Sequence, residues 1–455
     1  MQKRYFRVAL LFLLLMNFYR IYLVALATML SVAASSQENA VTSFNQYYLK
    51  SVDKLRDLYN VRGAAFVCEN MSNPYREVKA MLQGYRNVSR FLGILFYSYN
   101  NDSLRIWLLR TDTLVYHQQI VQKDQLVKAE VDLRRALKVD LLLAARDAKN
   151  RGVTINIKDE PRPDVAESIA TATGYLLPQP IAKTLKGLKH LIVIPEFNIS
   201  QFPWYLLKPY NNNAYLVDSV SVSLAPHLCN LTVTLEQYDN YVGNPVSLVV
   251  NNAVVVGNPS YAHNRDVELS QLPGAEMEAD TIAAMLNTVA LKGKEATLSN
   301  VLQKAKGADF LYFATHGYAD LEKGLAGSFL AFAPDSTSPN GLWNAKQIQN
   351  EKITAKASMA ILSACQTGVG KIYDAGFIGI GRAFYKAGID HTIMSLWSVS
   401  DTATQKLMTS FVTILKTQEL YFYPASHLRK AILQFKKEDP DPTHWAPFML
   451  FGFPY

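Results

Sequence analysis

From residue 190 onward the chain repeats one pattern, a short and almost wholly apolar run followed by a stretch of helical period. The apolar runs fall at residues 190–195, 215–224, 248–256, 289–291, 310–315, 328–333, 358–363 and 391–397. Helical periods occupy 275–287, 299–306, 377–387 and 401–416. Strands apolar on both faces must be covered on both faces, and the intervening helices are long enough to return the chain for parallel pairing. The pattern predicts an α/β fold, an α/β/α sandwich around a mostly parallel central sheet.

The stretch before residue 190 follows a different rule. Residues 93–98 and 104–109 alternate in polarity around Asn100-Asn101-Asp102, which predicts a hairpin, and 114–120 predicts a third strand. A helix is expected over 125–150, with Leu126, Val131, Leu133, Leu137, Leu141 and Ala144 as its buried stripe. Residues 151–163 predict a loop, and 42–84 predict short covering helices rather than a repeat array. The organisation expected is a targeting segment over 1–35, a short helical segment over 36–90, an N-terminal half over 91–250 and a C-terminal half over 251–455.

At the N-terminus, Lys3, Arg4 and Arg7 precede apolar runs at 8–16 and 21–30, and small residues at 31–35 follow. That order predicts a secretory signal, with translation from Met16 as a tidier start and an uncleaved membrane anchor as the alternative. The protein is therefore expected to be exported, periplasmic or secreted, or anchored through this segment. A net charge of +8 raises nucleic-acid binding, but the basic stretches at 128–138, 183–190 and 416–437 alternate with apolar residues as solvated faces do. No nucleic-acid partner is expected. The three cysteines, Cys68, Cys229 and Cys365, form no CxxC pair and no Cys/His cluster, so no metal site is expected. Whether Cys68 and Cys229 pair is open; small buried apolar side chains are the simpler expectation for both.

Two strand ends carry the chemistry. Phe313-Ala314-Thr315-His316-Gly317 and Leu362-Ser363-Ala364-Cys365-Gln366-Thr367-Gly368 each stop an apolar strand at a reactive side chain. In an open parallel sheet ligands bind just beyond the carboxyl ends of the strands, so neighbouring ends would set an imidazole beside a thiol. The imidazole can take the thiol proton, the thiolate can attack a carbonyl, and the imidazolium can then protonate the departing amine. Backbone N–H groups of Gly317 and Cys365 are the expected oxyanion donors. Each residue alone has a simpler role, Cys365 in packing and His316 as a satisfied polar group; the matched placement makes the pair.

With these motifs stand His190-Leu191-Ile192-Val193-Ile194-Pro195 with Phe202-Pro203, Val255-Val256-Gly257-Asn258-Pro259 and Leu272-Pro273-Gly274-Ala275-Glu276-Met277-Glu278-Ala279. Ser395-Leu396-Trp397-Ser398-Val399-Ser400-Asp401 and Trp445-Ala446-Pro447-Phe448 complete the order. In this sequence they resemble the CHAT domain family, caspase-like cysteine peptidases related to separase, from about Leu92 to Tyr455. His316 and Cys365 are separated by roughly 50 residues, as in caspases. The resemblance implies a caspase-like fold whose N-terminal half is a degenerate companion of the catalytic half, and a His316/Cys365 dyad. It also implies a pocket for the residue before the scissile bond lined by Ser395, Trp397 and Asp401, with Asp401 reading a basic side chain. Asp401 equally stands where a helix N-cap belongs; Asp320 and Asp374 are lesser pocket candidates.

Many relatives carry Gly-Glu-Gly where this chain has Asp374-Ala375-Gly376, and no long excisable linker separates Cys365 from His391. Gly376-Phe377-Ile378-Gly379-Ile380-Gly381 has the wrong glycine order for a dinucleotide loop, and Lys292-Gly293-Lys294 lacks the glycine of a phosphate loop. The expected function is a cysteine endopeptidase needing no cofactor, acting on a protein or peptide substrate after a basic residue, with an activating partner left open. The alternative is a catalytically silent interaction or scaffold module on the same fold. A thiol transpeptidase or hydrolase acting on another acyl group is a third.

Overall fold

A computed structural model of the chain describes residues 37–56, 71–85, 89–139, 161–228, 250–261, 269–320, 322–351, 359–364, 367–368, 370–373, 376–417 and 423–452. The expected targeting segment, Cys68, Cys229, Cys365, Asp374 and most of the 151–163 loop lie outside them. Helix α1 (residues 37–56) and α2 (Pro74–Gly84) come first. Strands β1 (Leu92–Asn100), β2 (Ser103–Leu109) and β3 (Leu114–Ile120) then form an antiparallel meander. The hairpin between β1 and β2 turns on Asn101 and Asp102, whose φ angles of 50° and 53° are ones these short polar side chains tolerate.

Helix α3 (Lys123–Leu137) is closed by Lys138, which adopts a left-handed φ of 61°, and the rest of the helix expected to 150, with Leu141 and Ala144, lies outside the described residues. Helix α4 (Val165–Leu176) leads to β4 (His190–Ile194). Of the apolar run expected as one strand over 215–224, Leu216–Ser219 is a single helical turn, and only β5 (Ser221–Leu224) is strand. Next come β6 (Ala253–Pro259), α5 (Pro273–Met285), β7 (Leu291–Gly293), α6 (Leu298–Ala305) and β8 (Phe310–Ala314).

Past β8 the chain leaves the main sheet. Strands β9 (Gly317–Tyr318), β10 (Phe329–Ala331) and β11 (Leu342–Asn344) make a separate antiparallel sheet, so the 328–333 run is not a strand of the parallel sheet as expected. Strand β9 follows β8 after two intervening residues and offers Phe329 and Leu330 an antiparallel partner away from the main sheet, and β11 on the other side runs straight into α7 (Ala345–Asn350). Strand β12 (Met359–Ser363) re-enters the main sheet, and β13 (Gly370–Tyr373) pairs with β14 (Gly376–Gly379) in a hairpin. The expected helix over 377–387 is therefore shorter, α8 (Ile380–Lys386). Strand β15 (His391–Ser395), α9 (Asp401–Thr417), α10 (Pro424–Glu438) and β16 (Phe448–Gly452) complete the described chain.

Eleven strands form one sheet in the order β3-β2-β1-β4-β5-β16-β15-β12-β8-β6-β7. Strands β1, β4, β5 and β16 run parallel, and so do β15, β12, β8, β6 and β7. The two blocks meet antiparallel at β15 and β16, which places their carboxyl ends on opposite edges of the sheet. The last described strand thus sits at the centre and joins the two halves.

Period-two alternation sorts the core. Val255, Tyr312 and Ile361 face one apolar cluster with α5 and α9, whereas Val254, Val256, Leu311 and Leu362 face another with α6 and α8. A third cluster packs Phe44, Tyr48, Val78 and Leu82 against Phe96 and Trp107, which is what the covering helices cover. Gly257 explains how closely α5 lies on β6: a Cβ there would come within 2.3 Å of the Ala279 Cβ and 2.7 Å of the Ala275 carbonyl oxygen. Among the described residues no helix is long and apolar enough to cross a membrane.

Candidate active site

Strands β8 and β12 are direct neighbours, and Ala314 pairs in register with Ser363. His316 follows Ala314 by two residues and Cys365 follows Ser363 by two, so the two strands stay adjacent up to Ser363. The described residues on either side of Cys365 are fixed to the end of β15. Ser395 donates its hydroxyl to Ala364 O at 3.1 Å and its N–H to Thr367 Oγ1 at 3.2 Å, while its carbonyl accepts from Gly368 N at 2.8 Å. Ser395 therefore clamps Ala364 to Thr367 and Gly368.

His316 is half-buried at the end of β8. Its Nε2 lies 2.8 Å from the Ser270 carbonyl oxygen. A carbonyl only accepts, so Nε2 carries the hydrogen and Nδ1 is left as the basic nitrogen of the neutral ring. Tyr261 packs its ring 4.9 Å from the imidazole and places its hydroxyl 3.1 Å from Thr315 Oγ1. Burial pushes the Tyr261 phenol up to about 12, which keeps it a hydrogen-bond donor beside the histidine.

A cleft of about 80 Å³ joins these groups, walled by Thr315, His316, Ser363, Ser395 and Asp401, with Glu278 and Phe448 also facing it. The two roles open to Asp401 separate in the structure. Ser400 caps α9, its Oγ accepting from Ala403 N at 3.3 Å and its carbonyl from Thr404 N at 3.0 Å. Asp401 begins the first turn and lines the cleft. Gly274 makes its position possible, since a Cβ there would stand 2.4 Å from both the Cβ and Oδ2 of Asp401.

Glu278 was not foreseen. It is 2% exposed, accepts from the Tyr312 hydroxyl at 2.5 Å and bonds the Ser363 hydroxyl. Burial raises its carboxyl to about 7; the Ser363 and Tyr312 hydrogen bonds oppose the rise, and the Asp401 charge adds to it. Of the two acids in its motif, Glu276 lies in the first turn of α5, where the helix dipole favours it. The signal that identifies Glu278 is its i, i+4 spacing from Gly274, which puts it on the helix face that meets Asp401.

Other expected pocket residues sit elsewhere. Trp397 is fully buried, donates its indole N–H to Thr443 O at 2.9 Å and has no place among the cleft walls, because its bulk fills the core beneath α9. Asp320 spends Oδ1 on the Glu322 and Lys323 N–H groups at 2.9 and 2.8 Å. Gly317 opens β9 beside His316. Among the described residues no group of three or more His, Cys, Asp or Glu side chains could hold a metal ion.

Comparison with known proteins identifies the CHAT domain over residues 167–453. Tetratricopeptide repeat protein 28 of Homo sapiens is 25% identical over 296 residues, covering 58% of this chain. The Mus musculus protein of that name is 25% identical over 306 residues. The matched region spans 12% of the length of each relative. Among solved structures, separase in the Saccharomyces cerevisiae separase–securin complex aligns over 85% of this chain and 31% of its own, at 11% identity and a TM-score of 0.48. The complex of Porphyromonas gingivalis RgpB pro- and mature domains aligns over 72% of this chain and 75% of that one, at 12% identity and a TM-score of 0.39.

Proposed function

The chain belongs to the CHAT domain family and has its caspase-like α/β fold, and from that premise we propose that it is a cysteine endopeptidase with His316 and Cys365 as catalytic dyad. One observation carries the reading. The register of Ala314 with Ser363 aligns the two chemistry-bearing strand ends, and the Ser270 carbonyl holds the imidazole with Nδ1 free to accept a proton.

The steps follow. Nδ1 takes the Cys365 thiol proton, and Sγ adds to the scissile carbonyl carbon. The oxyanion is met by the Gly317 and Cys365 N–H groups. The C–N bond breaks as the imidazolium returns its proton to the amine, leaving a thioester. Water, deprotonated by the same imidazole, then releases the acid and restores the thiol. Asp401 in the cleft wall favours a Lys or Arg side chain before the scissile bond.

A peptide library and a thiol-directed acyloxymethyl ketone test this against Cys365→Ala. Cleavage and labelling confined to the wild type are expected. Equal inertness in both would instead support the second reading, a silent interaction module, which the small volume of the cleft favours. Asp401→Ala should remove a Lys/Arg preference while small thiol reagents still react. Export through the basic and apolar segment before residue 36 belongs to the same proposal, and a mature protein whose sequence begins at Met1 or Met16 would contradict a cleaved signal.

A further inference from the structure

The small antiparallel sheet has two faces with different fates. Gly317, Leu330 and Trp343 align across it, and Leu330 and Trp343 point into the apolar core. The opposite face carries the row Tyr318, Phe329 and Asn344 and, two residues along, the row His316, Ala331 and Leu342; Ala331 N donates to His316 O at 3.0 Å. Period-two alternation thus sets His316 and Tyr318 on one face. On that face lies a groove of about 600 Å³ lined by Tyr318, Lys323, Phe329, Ser338, Leu342 and Asn344. It is much larger than the cleft and within the range of about 300–1,000 Å³ typical of ligand sites.

Most polar groups there are committed. Asn344 and Gln347 cap α7 reciprocally, at 2.9 and 3.0 Å, and Asn340 Oδ1 accepts from Leu342 N at 3.1 Å. Two groups remain. The Tyr318 ring is 37% exposed and lies 5.4 Å from Phe329, and the exposed Lys323 amine has no carboxylate partner among the described residues. A third ring or a large apolar side chain would extend the Tyr318–Phe329 pair, and a carboxylate would satisfy the amine.

Direction follows from chemistry. The imidazole must protonate the departing amine, so the chain after the scissile bond leaves on the histidine side, while the residue before it faces Asp401. We propose that the groove binds the substrate segment following the scissile bond, taking an aromatic or large apolar side chain against Tyr318 and an acidic one at Lys323. The assignment rests on the peptidase reading and adds the substrate class to it.

The test uses peptides with a fixed basic residue before the bond and varied positions after it, alongside a fluorogenic amide with no residue after it. The wild type is expected to favour aromatic and acidic residues downstream. Tyr318→Ala should lower the ratio of kcat/KM for long over short substrates by roughly tenfold. Lys323→Glu should turn the acidic preference into a basic one. Cleavage with both preferences unmoved would overturn the proposal. Should the thiol probe leave the wild type unlabelled, the peptidase reading fails by itself, and fluorescence anisotropy of the same peptides decides on the groove. Binding lost in both variants would keep it as a peptide site; absent or equal binding would remove it.

Discussion

The two parallel blocks of the sheet each end in a histidine-bearing turn, and they treat the imidazole in opposite ways. Beyond β8, His316 is half-buried, carbonyl-oriented and open to a cleft. Beyond β5, His227 is sealed under α1, its Nε2 2.8 Å from the Ser51 Oγ and its ring 4.9 Å from Tyr48. Burial, helped by the Arg382 charge, pushes His227 down to about 3, so the ring stays neutral at about pH 7. The same helix pins Glu196, just past β4, through Lys54 at 3.1 Å. A strand end offers a reactive group only where no other element claims the edge; in the N-terminal half, α1 has claimed it.

The widest separation between the two edges should come from exchanging their histidines. His316→Ala is expected to cut peptide cleavage on the order of 10³-fold with little change in the thermal midpoint. His227→Ala should do the reverse, keeping activity per folded molecule while costing about 1–3 kcal/mol, read by urea unfolding. Activity lost equally in both variants would erase the distinction.

Acidity sharpens the comparison next. Glu278 has a folded pKa raised from 4.5 to about 7, so its stabilising contribution is complete below 4.5 and lost as pH rises towards 7. His227 has a lowered pKa, so its contribution is complete above 6.5 and lost as pH falls towards 3. Glu278→Gln should therefore gain about 3 kcal/mol at pH 8 and almost nothing at pH 4. Denaturant midpoints at the two values check it, and an equal shift at both would refute the assignment.

The smallest expected effect concerns the seal itself. Glu196 is 4% exposed; burial raises its carboxyl, and the Lys54 charge is the leading opposing influence. Lys54→Met should raise it further and cost about 2 kcal/mol at pH 8, less at pH 5 where Glu196 is closer to neutral. Unfolding curves with the same loss at both pH values would show that Lys54 contributes through packing alone.

How far the sequence disclosed this depends on the range of the interaction. The β1–β3 meander was legible because alternation and the Asn100-Asn101-Asp102 turn are local, and β8, β12 and β15 because uninterrupted apolar runs have few alternatives. The same rule misassigned 215–219, where a short apolar run fits a helical turn equally well, and found the strand within 328–333 but not its place in a minor sheet. The reversal at β15 and β16 left no local trace, since it is set by a pairing between distant segments. Of the site, the adjacency of the two strand ends and the cleft positions of Ser395 and Asp401 were readable. Glu278 was hidden by a plausible dipole role, Trp397 by the ambiguity of a large ring near a pocket, and the contact of Ser51 with His227 spans 176 residues.

The rate of Cys365 alkylation by iodoacetamide as a function of pH, followed by mass spectrometry of the peptide that contains it, tests the dyad most directly. With the imidazole at proton-transfer distance, the wild-type inflection should fall a unit or more below the free-thiol value of about 8.5 and return there in His316→Ala. The same inflection in both proteins would mean that the two groups do not meet.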